Sequence, residues 1–494
     1  MKTTLTSVLI VLAGWLALAS IVRAEDPDPY LAQKAADYEA FLRQWHSTGL
    51  GGVSDILFTD ASRTEIARTW GAGDSEDWTA FYLVTQALRY KMTGDEDARG
   101  EVLRIAHYLH QIKDVTGAAY IARYVAPDAP PWNVEYEGSD NKIFGTGEYE
   151  GMYWVGQQVR DKYITWFWGL TWAYDAVDDE AMRETIREDF REVVETLRAD
   201  RWTIIDPWGN VYSAATILPD IRLSIILQTA HVTGDAKYWD LLDSEYAKVI
   251  GTLPLTSFAG FNKYVDYYAF INNHPIAQGT FRLWPDRVRL RELFRVWRWS
   301  VRQFVAGTHA AFFDAVYYGA CLRIGGCTYE EMEEIRQDVR HGLTVMWDPP
   351  NWQRKVVCTE LPLDPFSVWA HQFLIDHPDL QGLIDIEPQT AIPHEVDDRC
   401  WASHLWERSP YHISCPEEDD PSHTAPGLDY LIAYYFALYY GILPGGGPYG
   451  DDEPGDDYAD GGWPGDDTPP ATGDDDTGFA SGSAPRTHDS GRCG

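Results

Sequence analysis

The sequence is poor in cysteine and in positive charge, and beyond its first two dozen residues it has no long apolar run. Six cysteines in 494 residues exclude a disulfide-built scaffold. No Cys-x-x-Cys pair occurs and no Cys/His set has zinc spacing, so zinc-ribbon and dithiol redox classes drop out, and no metal or other cofactor is expected. Lys and Arg number 40 against 76 Asp and Glu, a net charge of -36. Such a surface repels a phosphate backbone, so nucleic acid is excluded as a partner. The longest late apolar stretch, Leu428 to Leu443, is shorter than the roughly 18 residues a membrane span needs and carries Asp429. It reads as a buried helix.

The first residues carry the apolar run missing elsewhere. Lys2 precedes an almost unbroken apolar stretch from Leu5 to Val22, with small residues before Glu25 (Val22-Arg23-Ala24) and before Ser20 (Ala17-Leu18-Ala19). This predicts a signal peptide over 1–24 and an exported protein, periplasmic, extracellular or at the cell surface, with an uncleaved anchor as the alternative. In an oxidising compartment the six cysteines fit disulfides. Cys321 and Cys327 flank a Gly-Gly turn and Cys400 and Cys415 bracket a loop, leaving Cys358 and Cys493 over. At the other end, residues 445–494 are Gly, Pro, Asp and Thr with little to bury. They carry 12 acidic residues against Arg486 and Arg492, leaving a net -26 on the remainder, and read as a disordered acidic tail.

Between these ends the pattern is helical. Trp78, Phe81, Tyr82, Thr85, Leu88 and Arg89 share one face of a helix over 77–92. Thr93-Gly94-Asp95 stops it, and a second helix runs over 96–113. Glycine supplies the left-handed stop and aspartate caps the next helix. The punctuation returns at Thr233-Gly234-Asp235 between helices over 214–232 and 236–250. Further pairs are predicted over 160–177 with 180–200, 268–284 with 286–303, and 306–324 with 328–346, plus single helices over 30–46, 364–377 and 428–442. β-like stretches are short, near 120–125 and 202–206. In each pair one member is apolar and aromatic nearly all round: Tyr163, Trp166, Phe167, Trp168, Leu170, Trp172 and Tyr174 sit in one helix, while its partner over 180–200 is charge-rich. Two concentric rings of helices satisfy that asymmetry. The predicted fold is all-α, an (α/α)6-type toroid of helical hairpins over 25–444 with short β-like excursions in its loops.

Several local strings carry a resemblance. Trp78-Thr79-Ala80-Phe81-Tyr82 followed by Thr93-Gly94-Asp95, Val115-Thr116-Gly117 leading to Ala122-Arg123, Arg160-Asp161-Lys162-Tyr163, and Asn272-Asn273-His274 resemble those of secreted six-hairpin (α/α) toroids, an architecture of many glycoside hydrolases and polysaccharide lyases. The likeness spans most of 30–443 as architecture, and no motif singles out one family. It implies a carbohydrate substrate or ligand, and either an enzyme cleaving a polysaccharide or oligosaccharide or a non-catalytic glycan-binding or surface scaffold protein.

The resemblance also directs attention to polar residues just before the inner helices. Asp74, Glu76 and Asp77 precede one, and each equally suits a helix cap. Arg160 and Asp161 open the aromatic helix after a long loop from Gly145, with Asp161 a catalytic carboxylate or a cap. Asn272-Asn273-His274 follows Tyr264, Asp266, Tyr267 and Tyr268, with Arg282 two turns on. A lyase of this architecture uses such a set: Asn273 and Arg282 neutralise a uronate carboxylate, and His274 or Tyr268 removes the acidified proton. A packed core histidine is the competing reading. A glycosidase needs two carboxylates instead, for which Asp77, Asp161, Asp206 and Asp429 are candidates. Arg160, Trp78, Trp208, Arg282 and Arg408 are the candidate substrate-binding residues, and Trp132, Trp154, Trp208 and Trp352 are the tryptophans expected in loops.

Overall fold

The computed structural model describes residues 28–447 apart from 71, 133–140, 213, 255–266, 350–360, 381–385, 400–403, 405, 407–408 and 413–421. The predicted signal peptide, the acidic tail beyond 447, Cys358, Cys400, Cys415, Cys493, Trp352 and Arg408 lie outside the described residues.

Thirteen helices organise the described residues: α1 (Pro29–Phe41), α2 (Ser75–Thr93), α3 (Glu96–Asp114), α4 (Arg160–Ala176), α5 (Glu180–Ala199), α6 (Pro219–Thr233), α7 (Ala236–Thr252), α8 (Tyr268–Leu283), α9 (Arg287–Trp297), α10 (Ala311–Ile324), α11 (Tyr329–Val345), α12 (Pro365–Asp376) and α13 (Leu428–Tyr439). The tight turns arise from the residues that punctuate the sequence. Gly94, Gly234 and Gly325 take left-handed φ of 65°, 70° and 71° at the ends of α2, α6 and α10, a conformation open to glycine at no Cβ cost. Asp95, Asp179, Asp286 and Thr328 then accept backbone N–H groups at the starts of α3, α5, α9 and α11. Two boundaries differ from expectation: α6 begins at Pro219, after the bridge between Thr203 and Thr216, and α10 begins at Ala311, after the left-handed His309.

The helices close into a ring. Successive inner helices pack in the order α2, α4, α6, α8, α10 and α13, and α13 returns against α2. The outer members α3, α5, α7 and α11 pack on their hairpin partners and α1 packs on α13; Phe294 and Trp297 of α9 meet Phe281 of α8. The chain is therefore a six-hairpin (α/α) toroid. Its composition explains the layering: α4 buries every residue from Lys162 to Ala173, whereas α5 buries a single stripe.

Aromatic side chains fill the lumen. Phe81 meets Trp168 and Phe312 at ring separations of 5.2 and 5.5 Å, and Phe436 meets Phe312 and Trp168 at 6.0 and 6.2 Å. The indole N–H groups of Trp168 and Trp172 both donate to Gln278, so the plug also satisfies its polar atoms. Where α2 and α4 cross, a Cβ on Gly169 would lie 3.1–3.3 Å from Ala80 Cβ, Cα and carbonyl oxygen. Gly169→Val is expected to lower stability by about 2 kcal/mol through overpacking, measured by denaturant unfolding.

Tight turns occupy one end of the ring. Longer connections occupy the end where the inner helices start, and they hold two small antiparallel sheets. One is ordered β2 (Ile66–Trp70), β1 (Asp55–Phe58), β6 (His423–Thr424); the other is β3 (Tyr124–Pro127), β5 (Met152–Val155), β4 (Lys142–Phe144). The expected excursion near 120–125 corresponds to β3, and 202–206 contributes only the Thr203 bridge.

Candidate active site

Among the inner helices, all but α8 place an acidic residue in the first turn: Glu76 and Asp77, Asp161, Asp220, Asp314 and Asp429. Backbone N–H groups and the helix dipole favour negative charge there. That effect alone would account for isolated carboxylates. The α2–α4–α8 sector goes further.

Lys162, on the first turn of α4, reaches back toward α2. Its ammonium donates to Asp74 Oδ1 at 2.6 Å, to Asp77 Oδ2, and to the Tyr268 hydroxyl of α8 at 3.0 Å, with Asp161 Oδ2 at 3.7 Å. Tyr268 in turn donates to Asp77 Oδ2 at 3.1 Å. The Thr165 hydroxyl lies 2.6 Å from Asp77 Oδ1 and 3.2 Å from Glu76. Asp74 occupies the N-cap position of α2 yet makes no side-chain cap bond; its carboxylate is turned to Lys162. The helix-cap reading of Asp74 and Asp77 therefore gives way to a five-group cluster spanning three inner helices.

One ammonium among four carboxyls in so confined a space makes ionising all of them costly. Burial and then the neighbouring Asp77 push Glu76 well above the usual carboxylate range. Burial likewise outweighs Lys162 and raises Asp77, helped by Asp161 and Asp74. At Asp74 burial opposes ionisation, but Lys162, with Arg123 and His404, outweighs it and holds that carboxyl low. The side chains grade outward, from Asp77 at 3 % exposed through Asp161 at 19 % to Asp74 at 42 %. A buried carboxyl raised above its ordinary value thus stands behind a more exposed one held low. Since Asp74 and Asp77 bond the same nitrogen, their nearest oxygens lie within two hydrogen-bond lengths, about 6 Å.

The loops that set this sector are strained where they meet α4. Gln157 and Ala214 both hold φ of 57° without being glycine, at a cost of order 1 kcal/mol each. Arg123 Nε donates to the Gln157 carbonyl and its Nη1 to that of Gly73, next to Asp74, while Arg160 N donates to the Ala214 carbonyl. Nearby, Trp208 is 60 % exposed and stacks on buried Trp154 with centroids 5.7 Å apart and planes 6° apart.

The remaining candidates are placed elsewhere. His274 is fully buried: it stacks on Phe313 at 4.0 Å, its Nδ1 bonds the Phe270 carbonyl, and burial lowers it to about 3. That is the packed core histidine, because α8 turns this face into the ring. Asn273 donates to the Ala269 carbonyl one turn back. Arg282 lies near the far end of α8, against Asp175 at 2.6 Å and over Trp172. Trp78 is buried with its ring 3.9 Å from that of His404, so it supports the site from beneath. Asp206 is the hub of its own turn, accepting from Trp208 N, Asn210 N and Nδ2, and the Tyr212 hydroxyl. Asp429 is buried at the start of α13. Trp132 is half-buried against the core.

Asp175 gives a pH test of the ring's other end. Burial opposes its ionisation, but Arg282 and His231 outweigh it and bring it from 3.8 to about 2. Its contribution is present above pH 4 and is lost as pH falls through about 2. A displacement of nearly two pH units corresponds to about 2 kcal/mol. Asp175→Asn is therefore expected to be less stable than wild type by about that amount at pH 6, with the difference closing by pH 2 in urea titrations.

A groove of about 510 Å³ between α1, α2 and α13 lies at this same far end. Its charged lining, Glu39, Arg43, Arg89 and Asp97, is mutually ion-paired, which leaves it without a directed reactive group.

No family model and no curated protein matches the chain. Among solved structures it is similar to the unsaturated glucuronyl hydrolase of Bacillus sp. GL1, at 13 % identity over 84 % of this chain and 98 % of that one, TM-score 0.40. It is also similar to endoglucanase CelQ from Clostridium thermocellum complexed with cellotriose, at 13 % identity over 85 % and 72 %, TM-score 0.42. A third is the GH76A alpha-1,6-mannanase from Salegentibacter sp. HEL1_6, at 9 % identity over 82 % and 98 %, TM-score 0.38. The toroid itself rests on the closed order of this chain's own helices.

Proposed function

We propose that the chain hydrolyses a glycosidic bond at the Asp74–Asp77–Asp161–Lys162–Tyr268 cluster. The carrying observation is the pair of carboxyls on one ammonium with opposite displacements, Asp77 raised and Asp74 lowered. Hydrolysis of a glycoside needs one carboxyl that holds a proton for the leaving oxygen and one that is ionised to activate water or stabilise the sugar cation. Asp77 supplies the first role. Asp74 or Asp161, both more exposed, supplies the second. Tyr268 and Thr165 orient Asp77, and the exposed Trp208 face offers an apolar surface to a sugar ring.

Elimination is the weaker reading on specific grounds. Its base would be His274, which has no route to solvent, and its neutralising Asn273 and Arg282 serve the backbone and Asp175. Tyr268 is raised well above its ordinary value, first by burial and then by Asp77, the wrong direction for a proton abstractor. Export fits the apolar leader and the Cys321–Cys327 disulfide.

The test is a panel of neutral and uronate polysaccharides and oligosaccharides, with reducing ends and ultraviolet absorbance read together. Hydrolysis predicts reducing ends without new absorbance. Absorbance rising with the reducing ends overturns it in favour of elimination. Binding by calorimetry without cleavage overturns it in favour of a glycan-binding scaffold.

A further inference from the structure

Away from the carboxylate cluster, the long-connection end of the ring holds a second constellation. His309 ends the segment leading into α10, His341 sits on α11, and Glu395 lies in the 391–399 loop. One ligand atom from each lies within 4.8 Å of the others. We infer that these three residues bind a first-row divalent ion of the Zn²⁺ type, with solvent completing the shell.

Donor chemistry selects the ion. Two imidazoles and one carboxylate suit zinc, nickel or copper, whereas calcium and magnesium take oxygen. Two imidazoles and a carboxylate also form a recognised three-ligand zinc set that leaves a position open. The side chains of His341 and Glu395 are 43 % and 56 % exposed and His341 Nε2 lies 3.1 Å from Glu395 Oε2, so both can close the small remaining distance around an ion.

The surroundings are built for this purpose. His309 Nδ1 bonds Asp338, one turn before His341 on the same face of α11. A carboxylate on Nδ1 fixes the ring and leaves Nε2 to serve as the ligand, the usual support of a metal-bound histidine. His309 itself holds φ of 56°, a left-handed conformation that is uncommon away from glycine. Arg399 donates to the carbonyls of Thr308 and His394, the residues immediately before His309 and Glu395, and so fixes two ligands from different segments at once. Arg399 and Arg302 are the nearby cations; Arg302 is engaged by Asp314. Asp338 and Glu395 supply the negative charge a divalent ion requires.

The experiment uses the full chain without an affinity tag, stripped with chelator and titrated with Co²⁺. Visible d–d bands saturating at a single ion, and their loss when Zn²⁺ is added, are expected. His341→Ala and Glu395→Gln, both at exposed positions outside the packed core, should abolish the bands. Asp338→Asn should weaken binding roughly 10–100-fold. His110→Ala, which removes a histidine paired with Asp189 elsewhere, should leave the titration unchanged. Absence of the bands in the wild type, or their persistence in both ligand variants, overturns the assignment.

Discussion

Asp77→Asn is expected to lower kcat about 10²–10⁴-fold, the usual contribution of general acid catalysis, with KM and folding close to wild type. Asparagine keeps the shape and can still meet Thr165 and Tyr268, but it has no proton to give the leaving oxygen. The pH profile adds a sign. Activity requires Asp77 protonated, so wild-type kcat falls as pH rises through its elevated value. It also falls at low pH, where the partner carboxylate takes up a proton. In the Asn variant the alkaline limb should vanish from the residual rate. A variant that retains near-wild-type kcat, or keeps that limb, would remove Asp77 from the acid role.

Lys162→Met is expected to be the most destabilising change in the site, by about 3–5 kcal/mol, the cost of stripping one partner from a buried charge cluster. Lys162 is buried and donates to Asp74, Asp77 and Tyr268. Without it, Asp74 loses the cation that holds its carboxyl low. Because that value is depressed in the fold, its stabilising contribution exists above the unfolded value and is lost as pH falls through the folded one. The gap between variant and wild type should therefore be widest near neutral pH and shrink in acid. Thermal melting across that range reads both magnitude and sign.

Much of the architecture was legible in local chemistry. Glycine in a left-handed stop followed by a capping aspartate is decided within four residues, so the turns at Gly94 and Gly234 could be placed from sequence. The unequal burial of α4 and α5 follows from their residues just as directly. Of the small sheets only the stretch at β3 was legible: β1 pairs with β6 from far along the chain, and no short window contains both partners.

In the site, Asp77, Asp161 and Tyr268 could be singled out because polar groups before inner helices meet at one end. Asp74 was named there too, and Lys162 and Thr165 complete the cluster that joins them. Lys162 carried a readable signal, a cation at the head of the buried, largely apolar run to Ala173, which requires a counter-charge. His274 misled for a physical reason. Its position in the chain near Tyr268 and beside Asn273 resembles a catalytic set, but less than two helical turns separate the ring's mouth from its core, and sequence order does not show on which side of that step a side chain falls.

The most direct test of the central claim is the ¹H NMR spectrum of products formed by the wild-type chain from a cleaved uronate oligosaccharide in ²H₂O. Hydrolysis at the Asp77 cluster predicts new hemiacetal anomeric signals and no vinyl proton. A vinyl signal from a 4,5-unsaturated sugar at the new non-reducing end would contradict it.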